Sequence, residues 1–241
     1  MSNSYTIFYK RPEINQRSHY NEYVPQEGAD VIQTIMEGVP RNPREGEKAF
    51  NYSHDRCGFT TDRRTEKRLC RCLTHYSLNN PDCKNCKVKS NEFFGKVVEP
   101  TSARIIDFEI PVSIDGKDGI GEIDILLEKE GIYYCTEVKP IWNTETILRM
   151  VSEIITYTEI LKECNREAKE AFQKKYNVSI DDCKKAILFM EGSKQDNQWK
   201  PDQKYRNEYK ASDRLRKIIK EQDITVFCLK IKDGKYFIDK V

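Results

Sequence analysis

GEIDILLEKEGIYYCTEVKP, residues 121–140, is the stretch that decides the fold. It contains two runs rich in β-branched, aromatic and aliphatic residues, separated by Glu130-Gly131, which is typical of two strands joined by a tight turn. If these two residues form the turn, the numbers of cross-strand partners sum to 261. This register predicts that Asp124 lies opposite Glu137, with the two side chains on the same side of the sheet.

Charged side chains gather on that side of the predicted hairpin. Glu122 and Asp124 alternate onto one face of the first strand, and Glu137 and Lys139 share a face of the second. In the same register Glu122 lies opposite Lys139. Two facing carboxylates repel each other, and a hard divalent cation such as Mg²⁺ supplies the missing positive charge. The hairpin therefore predicts a metal site between Asp124 and Glu137.

Lys139 indicates which reaction a metal at this site would support. Its ammonium group would hold a scissile phosphate or orient an attacking water, while the metal lowers the pKa of bound water. The indicated chemistry is metal-assisted hydrolysis of a phosphodiester bond. The alternative is a solvent-facing hairpin in which Glu122 and Lys139 form a cross-strand ion pair. The apolar residues between the acids and the amphipathic helix that follows favour the metal site.

The segments around the hairpin predict an α/β protein with a mixed sheet. We predict helices over 27–39, 144–164, 166–176 and 212–221, strands over 103–114, 119–129, 132–141 and 185–191, and a final hairpin over 224–238. Thr144 is the predicted N-cap of the long helix. The tract 193–210 is predicted to be a loop, and residues 40–92 have no sustained periodicity.

The hairpin motif is similar to that of a known family. Asp124, followed by Glu137, Val138 and Lys139, resembles the PD-(D/E)xK nuclease superfamily, and within it the RecB-like and Cas4-like exonuclease branch. The resemblance covers roughly residues 95–192. It implies a restriction-endonuclease-like mixed β-sheet core flanked by helices. It also implies Mg²⁺ or Mn²⁺ held by Asp124, Glu137 and the Val138 carbonyl, with Lys139 as the catalytic lysine.

The helix after the hairpin contributes Glu153 and Tyr157, which are four residues apart and therefore neighbours on one flank. The exonuclease branch often has Gln-x-x-x-Tyr here, so Glu153 replaces the glutamine. The resemblance places both residues in the active site; the alternative is a boundary tyrosine beside an exposed glutamate. Members of the superfamily often add an upstream helical acid, for which Glu92 and Glu37 are the candidates.

Five of the nine cysteines fall within 30 residues. Their spacing, which includes one C-x-x-C, is typical of a tetrahedral zinc site. The preferred ligands are Cys57, Cys72, Cys83 and Cys86, with Cys70 as the substitute for Cys72. A zinc would also order a stretch without a core of its own. The alternatives are an iron–sulfur cluster and a set of unrelated free thiols.

Composition and charge limit the other function classes. The 241 residues carry 41 basic and 39 acidic side chains, and the mean hydropathy is -0.75. There is no apolar run of membrane-spanning length and no signal peptide, so we expect a cytoplasmic protein with reduced thiols and no membrane partner. We predict three parts: an arm and helix over 1–39, a cysteine-rich module over 40–96, and a nuclease-like core over 97–241.

The cysteine-rich module is locally basic, although the whole chain has a net charge of only +2. Residues 63–96 carry nine Lys or Arg and three Asp or Glu. This pattern favours contact with a phosphate backbone, and the alternative is a solvated, charge-rich surface around a structural zinc. The candidate nucleic-acid-binding residues are Arg63, Arg64, Lys67, Arg68 and Arg71.

The sequence therefore predicts a Mg²⁺- or Mn²⁺-dependent nuclease that acts on DNA. An RNA-directed nuclease and a non-catalytic nucleic-acid-binding or assembly protein that keeps the fold remain alternatives. Sequence specificity, exonuclease or endonuclease polarity and oligomeric state are left open.

The cysteine spacing makes a testable prediction. Elemental analysis of the purified protein should find about one zinc per chain and little iron, because a structural zinc site has four N or S ligands. Cys83→Ser should lower the zinc content and the protease resistance of this segment, and leave the hairpin around Glu137 intact. Cys228→Ser, outside the cysteine cluster, is the control. A brown protein with several iron atoms per chain would contradict zinc.

Overall fold

A mixed sheet of six strands is the centre of the structure. The computed structural model describes residues 33, 35–37, 39, 66–77, 98–112, 121–164, 166–200 and 213–241. The elements are α1 (Glu66–Ser77), β1 (Arg104–Pro111), β2 (Glu122–Lys129), β3 (Ile132–Lys139), α2 (Ile147–Glu159), a π-helical turn (Ile160–Cys164), α3 (Arg166–Tyr176), a 3₁₀ turn (Ile180–Asp182), β4 (Lys184–Met190), α4 (Lys194–Trp199), α5 (Asp213–Glu221), β5 (Ile224–Lys232) and β6 (Lys235–Lys240).

The strands lie side by side in chain order, from β1 to β6. The pairs β1–β2, β2–β3 and β5–β6 are antiparallel, whereas β3–β4 and β4–β5 are parallel. Parallel neighbours need a crossover connection, and α2 with α3 supplies the first and α5 the second. The predicted α/β class with a mixed sheet flanked by helices is therefore confirmed.

The sheet buries a hydrophobic cluster on each face. The α2 cluster contains the buried sides of α2, α3 and α5, together with strand residues such as Cys135, Ile187 and Phe189. The α1 cluster contains Leu69 and Leu73 of α1 and the strand side chains that point to the opposite face of the sheet. Because both faces are covered, the charged side chains of Glu137 and Lys139 on β3 are buried.

The register of the β2–β3 hairpin agrees with the sequence prediction. The pairs run from Lys129 opposite Ile132 to Ile125 opposite Thr136. The turn residue Glu130 has φ 56°, and the glycine after it has φ 78°. Positive φ at both central residues is what a type I′ turn requires, and it matches the twist of the flanking strands. The final hairpin likewise turns between β5 and β6 at the predicted position.

The start of α2 differs from the prediction. Thr144 is not the N-cap: the cap is Thr146, whose side chain accepts a hydrogen bond from the Arg149 N–H. The carboxamide oxygen of Asn143 accepts the N–H of Glu145 at 2.7 Å, which holds the preceding residues in a turn. The helix consequently begins two residues later, at Ile147. The predicted apolar stripe of α2 is buried as expected.

Two helices lie where none was predicted. Helix α1 occupies part of the stretch judged to lack periodicity, and α4 begins the tract predicted to be a loop. In α1, Leu69 and Leu73 are four residues apart and both fully buried against the sheet, so sheet packing stabilises a helix with a weak apolar pattern. In the described part of the chain, no helix has the length and apolarity to cross a membrane.

Gly121, just before β2, makes a close approach that only glycine allows. Its φ is 112°, and a Cβ built there would lie 2.5 Å from the Tyr157 hydroxyl oxygen. Gly121→Ala should therefore lower the free energy of unfolding by about 2 kcal/mol, measured by denaturant unfolding. Adding Tyr157→Phe removes the clashing oxygen, so the double variant should be more stable than the sum of the single changes by about 1 kcal/mol. Strict additivity would contradict this contact.

Candidate metal and catalytic site

The two strands of the hairpin separate where the predicted acids begin. The regular pairing ends at Ile125 and Thr136, and beyond it Asp124 bonds to the partner strand through its side chain. Oδ2 of Asp124 accepts the backbone N–H of Val138 at 2.7 Å. This bond fixes the carboxylate beside β3, next to Glu137.

Three carboxylates meet at this point. Ligand oxygens of Glu66, Asp124 and Glu137 all lie within 4.8 Å of one another. They come from the first residue of α1, from β2 and from β3. Glu137 is 2% exposed, and its Oε2 accepts no hydrogen bond from the described residues. A buried carboxylate oxygen without a donor is costly, and a cation bound between the three acids would satisfy it.

Lys139 lies inside a cage of carboxylates. Its Nζ is 2.6 Å from Glu137 Oε1 and 3.0 Å from Glu66 Oε2. It is also 3.0 Å from Glu145 Oε2 and 3.2 Å from Glu153 Oε2. Only 2% of its side chain is exposed, so these contacts replace the water that the ammonium loses. The alternative of a solvent-facing hairpin with an ion pair between Glu122 and Lys139 is wrong: Lys139 is buried, and Glu122 pairs with Lys67 at 2.7 Å.

The helix acid and tyrosine are both buried. Glu153 is 4% and Tyr157 6% exposed, so the alternative of an exposed glutamate beside a boundary tyrosine is wrong. Glu153 contacts Lys139 and also Arg149, whose Nε lies 3.0 Å from it and 3.1 Å from Glu145. The α2 helix thus supplies one acid and one cation to the cluster.

Sequence reasoning missed Glu145 and Asn143, which lie in the loop after Lys139. The Asn143 amide lies 3.4 Å from both Glu66 and Glu145. Helix α4 holds this loop: the amide of Gln195 donates to the Glu145 carbonyl at 2.8 Å, and Gln198 accepts the N–H of Ile147. No sequence signal marked these contacts, because α4 is 50 residues further along the chain.

The helical acid that lies beside Asp124 and Glu137 is Glu66, a residue upstream of the hairpin that sequence reasoning did not consider. Of its two candidates, Glu37 is exposed, bonded to Gln33 at 2.8 Å and not part of the cluster. Glu92 lies outside the described residues. To find Glu66, a helix would have had to be predicted in the basic stretch around Lys67, and the apolar periodicity of that stretch is weak.

Burial controls the protonation of these acids. It raises the pKa of Asp124 and of Glu137 well above their ordinary values, and neighbouring acids raise both further. Burial also acts to raise the pKa of Glu153, but the positive charges of Lys139 and Arg149 lower it below its ordinary value. Burial acts to lower the pKa of Lys139, yet the surrounding carboxylates raise it well above its ordinary value. Lys139 is therefore a fixed cation.

The donor set fits a hard divalent cation. Carboxylate oxygens are the ligands that Mg²⁺ and Mn²⁺ prefer, and Cys or His side chains that would favour softer metals are absent from the three-acid group in the described residues. At this site the backbone N–H of Val138 donates a hydrogen bond to Asp124. Metal binding by the Val138 carbonyl stays a prediction.

The predicted nucleic-acid-binding residues of α1 bind acids of the sheet. Lys67 is exposed and pairs with Glu122, while Arg71 lies 2.9 Å from Glu109. Arg68 is only 3% exposed. The other two candidates, Arg63 and Arg64, lie outside the described residues, and nucleic-acid binding by this group stays a prediction.

The zinc prediction falls mostly outside the described residues, which exclude Cys57, Cys83 and Cys86. Cys70 and Cys72 are both in α1, where the helix is buried against the sheet. Burial raises the pKa of the Cys70 thiol well above its ordinary value, and nearby carboxylates raise it further. Zinc binds the thiolate, so this environment disfavours Cys70 as a ligand, and zinc binding by the cysteine cluster stays a prediction.

Comparison with known proteins adds little to this geometry. No protein-family model matches the chain, and no curated protein matches it in sequence. Among solved structures, it aligns with "The structure of Pyrococcus Furiosus SfsA in complex with Ca2+" at 16% identity and a TM-score of 0.24. The alignment covers 68% of this chain and 62% of that one, less than two thirds of its length. A likeness of this size carries no argument about function.

The raised pKa values make the stability of the metal-free protein depend on pH. A carboxyl whose folded pKa is raised contributes stability that is fully present below its unfolded pKa, ordinarily 3.8 for Asp124, and is lost as the pH rises through the folded pKa. Asp124→Asn removes the charge, so its thermal midpoint in EDTA should exceed that of the wild type by an amount that grows from pH 4 to pH 8.

Asp239→Asn is the matched control for this prediction. A hydrogen bond from Lys230 lowers the pKa of Asp239, so this variant should lose stability relative to the wild type over the same pH range. A difference between Asp124→Asn and the wild type that stays constant with pH would contradict a raised pKa for the Asp124 carboxyl.

Proposed function

We propose that this protein is a metal-dependent nuclease that hydrolyses phosphodiester bonds of DNA. The observation that carries the proposal is the meeting of Glu66, Asp124 and Glu137 within 4.8 Å, beside a buried lysine. Repulsion among three closely spaced acids, one of them buried, is costly, and the single cation in direct contact with Glu137 leaves one of its oxygens without a donor. A Mg²⁺ or Mn²⁺ ion bound by the three acids removes that cost.

The residues divide the chemistry between them. The metal, when bound, polarises the phosphate and lowers the pKa of a bound water. Asp124 and Glu137 hold the metal, and Glu66 completes the carboxylate set from α1. Lys139 stays charged because its carboxylate neighbours raise its pKa, so it can stabilise the negative charge that develops on the phosphate.

The buried residues of α2 support this arrangement. Glu153 and Glu145 are held by Arg149, and both contact the Lys139 ammonium, so they direct it toward the metal acids. Tyr157 packs against Gly121 at the start of β2, the strand that carries Asp124. We assign Glu153 to orientation of Lys139 and Tyr157 to the position of β2 in the active site.

The basic stretch that precedes the sheet is the proposed contact for the nucleic-acid backbone. Residues 63–96 carry nine basic and three acidic side chains. Cys57, just before this stretch, and Cys72, Cys83 and Cys86 within it would bind a structural zinc. Backbone contacts of this kind give affinity without sequence preference and weaken as salt increases.

The test is cleavage of linear DNA in Mg²⁺ or Mn²⁺, with EDTA as the blank. Asp124→Ala and Lys139→Ala should each reduce the rate by about 100-fold or more, because each removes a charge that acts on the transition state. Asp239→Asn, a surface carboxylate that pairs with Lys230, should cleave like the wild type. Cleavage that persists in purified Asp124→Ala would contradict the proposal.

The same assay separates the alternative functions. If the wild-type protein binds DNA but does not cleave it with any metal ion tested, it is a non-catalytic nucleic-acid-binding protein. Preference for an RNA strand of the same sequence would indicate an RNA-directed nuclease. In either case Asp124→Ala and Asp239→Asn should leave the far-ultraviolet circular dichroism spectrum unchanged, which shows that the fold is intact.

A further inference from the structure

Glu109, in the middle of β1, has an unusual backbone conformation. Its φ is 48°, in the left-handed region that residues other than glycine rarely adopt. The pairs on either side are Phe108 with Ile125 and Ile110 with Ile123, so Glu109 stands directly across from Asp124. The strained residue is therefore the β1 neighbour of a proposed metal ligand.

At this point the side chains of both β1 and β2 switch from one face of the sheet to the other. Residues two apart normally point to the same side of a sheet. Phe108 belongs to the α1 cluster, whereas Ile110 belongs to the α2 cluster. On β2 the same switch separates Ile125, in the α1 cluster, from Ile123, in the α2 cluster. A break of this kind re-aims the side chains beside it, as β-bulges next to active sites do.

The break turns the Glu109 carboxylate toward α1. Its Oε2 lies 2.9 Å from Arg71, and its Oε1 lies 3.9 Å from Lys67 and accepts no hydrogen bond from the described residues. Lys67 also reaches Glu122 of β2 at 2.7 Å. The side chain of Glu109 is only 11% and that of Arg71 26% exposed, so this pair is less screened by solvent than the contacts of Lys67, which is 56% exposed.

These contacts lie one residue from the candidate metal site. Lys67 directly follows Glu66, and Arg71 lies one helical turn further along the same face of α1. Helix α1 contributes a single carboxylate to the site, and its charged contacts with β1 and β2 are made through Glu109 and Glu122. The position of Glu66 relative to Asp124 therefore depends on how α1 is attached to these two strands.

We propose that Glu109 is a positioning residue: by binding Arg71 and Lys67 where both strands change face, it sets the separation of Glu66 from Asp124. The inference rests on the proposed function, because that separation matters for a cation held between the two acids. Its role is distinct from that of a metal ligand, since its carboxylate faces the cations of α1.

Asparagine and aspartate at position 109 provide a matched pair. Both adopt the left-handed region more readily than most residues, and they differ in charge but hardly in shape. Glu109→Asn should weaken Mn²⁺ binding to the full-length protein by about 10- to 100-fold, measured by titration calorimetry without DNA. Glu109→Asp should recover most of that loss. Arg71→Gln, which removes the contact from the helix side, should behave like Glu109→Asn.

Glu128→Gln is the control for a merely structural ion pair. It breaks the contact of Glu128 with Arg104, 3.0 Å away, which joins the same two strands at their other end. Its Mn²⁺ affinity should equal that of the wild type. In Glu109→Asn the kcat for DNA cleavage should fall more than KM rises, while the thermal midpoint in EDTA should stay near that of Glu128→Gln.

The outcomes separate this inference from the proposed function. Wild-type affinity for Mn²⁺ in Glu109→Asn and Arg71→Gln would overturn the positioning role. If the wild type itself binds no Mn²⁺, the proposed metal site fails, and crystal structures of the variants decide the role of Glu109. In the wild type the nearest carboxylate oxygens of Glu66 and Asp124 lie within 4.8 Å of each other. A larger separation in the variants would support the positioning role, and an unchanged separation would overturn it.

Discussion

The charge balance around the Lys139 ammonium is the constraint on which this structure depends. An ammonium group that is 2% exposed has lost nearly all its hydration, and four carboxylates replace the water. Each of those acids in turn needs a positive neighbour, and Arg149 supplies one for Glu145 and Glu153. With Asp124 included, the acids still outnumber the two cations, so the cluster as a whole has a deficit of positive charge.

That deficit arises because acids from several elements converge on one place. Each acid comes from a different part of the fold: the start of α1, the strands β2 and β3, the loop after β3, and α2. The sheet brings β2 and β3 together, α1 covers one face and α2 the other. Helix α4 then fixes the loop through Gln195 and Gln198. A metal site made of buried acids can be precise only if its supporting elements are rigid.

The sequence predicted those parts of the fold that depend on local pattern. The alternating hairpin, its Glu130-Gly131 turn and the buried stripe of α2 were readable because neighbours in sequence determine them. Asp124 and Glu137 could be placed together for the same reason. Glu66 and Glu145 could not, because contacts with residues about 50 or more positions away bring them to the site. The face change at Asp124 was also hidden, since strict alternation was assumed.

Because the carboxylates of the cluster are spread from residue 66 to residue 153, the unfolded chain has no comparable constellation of ligands. A cation that binds the cluster would bind the native state alone and would be linked to folding by mass action. At a free concentration 100 times its dissociation constant, such an ion adds about 2.7 kcal/mol to the free energy of unfolding. The ion would then act as a cross-link that joins α1 to the sheet, and ambient metal concentration would decide how long the folded molecule survives proteolysis.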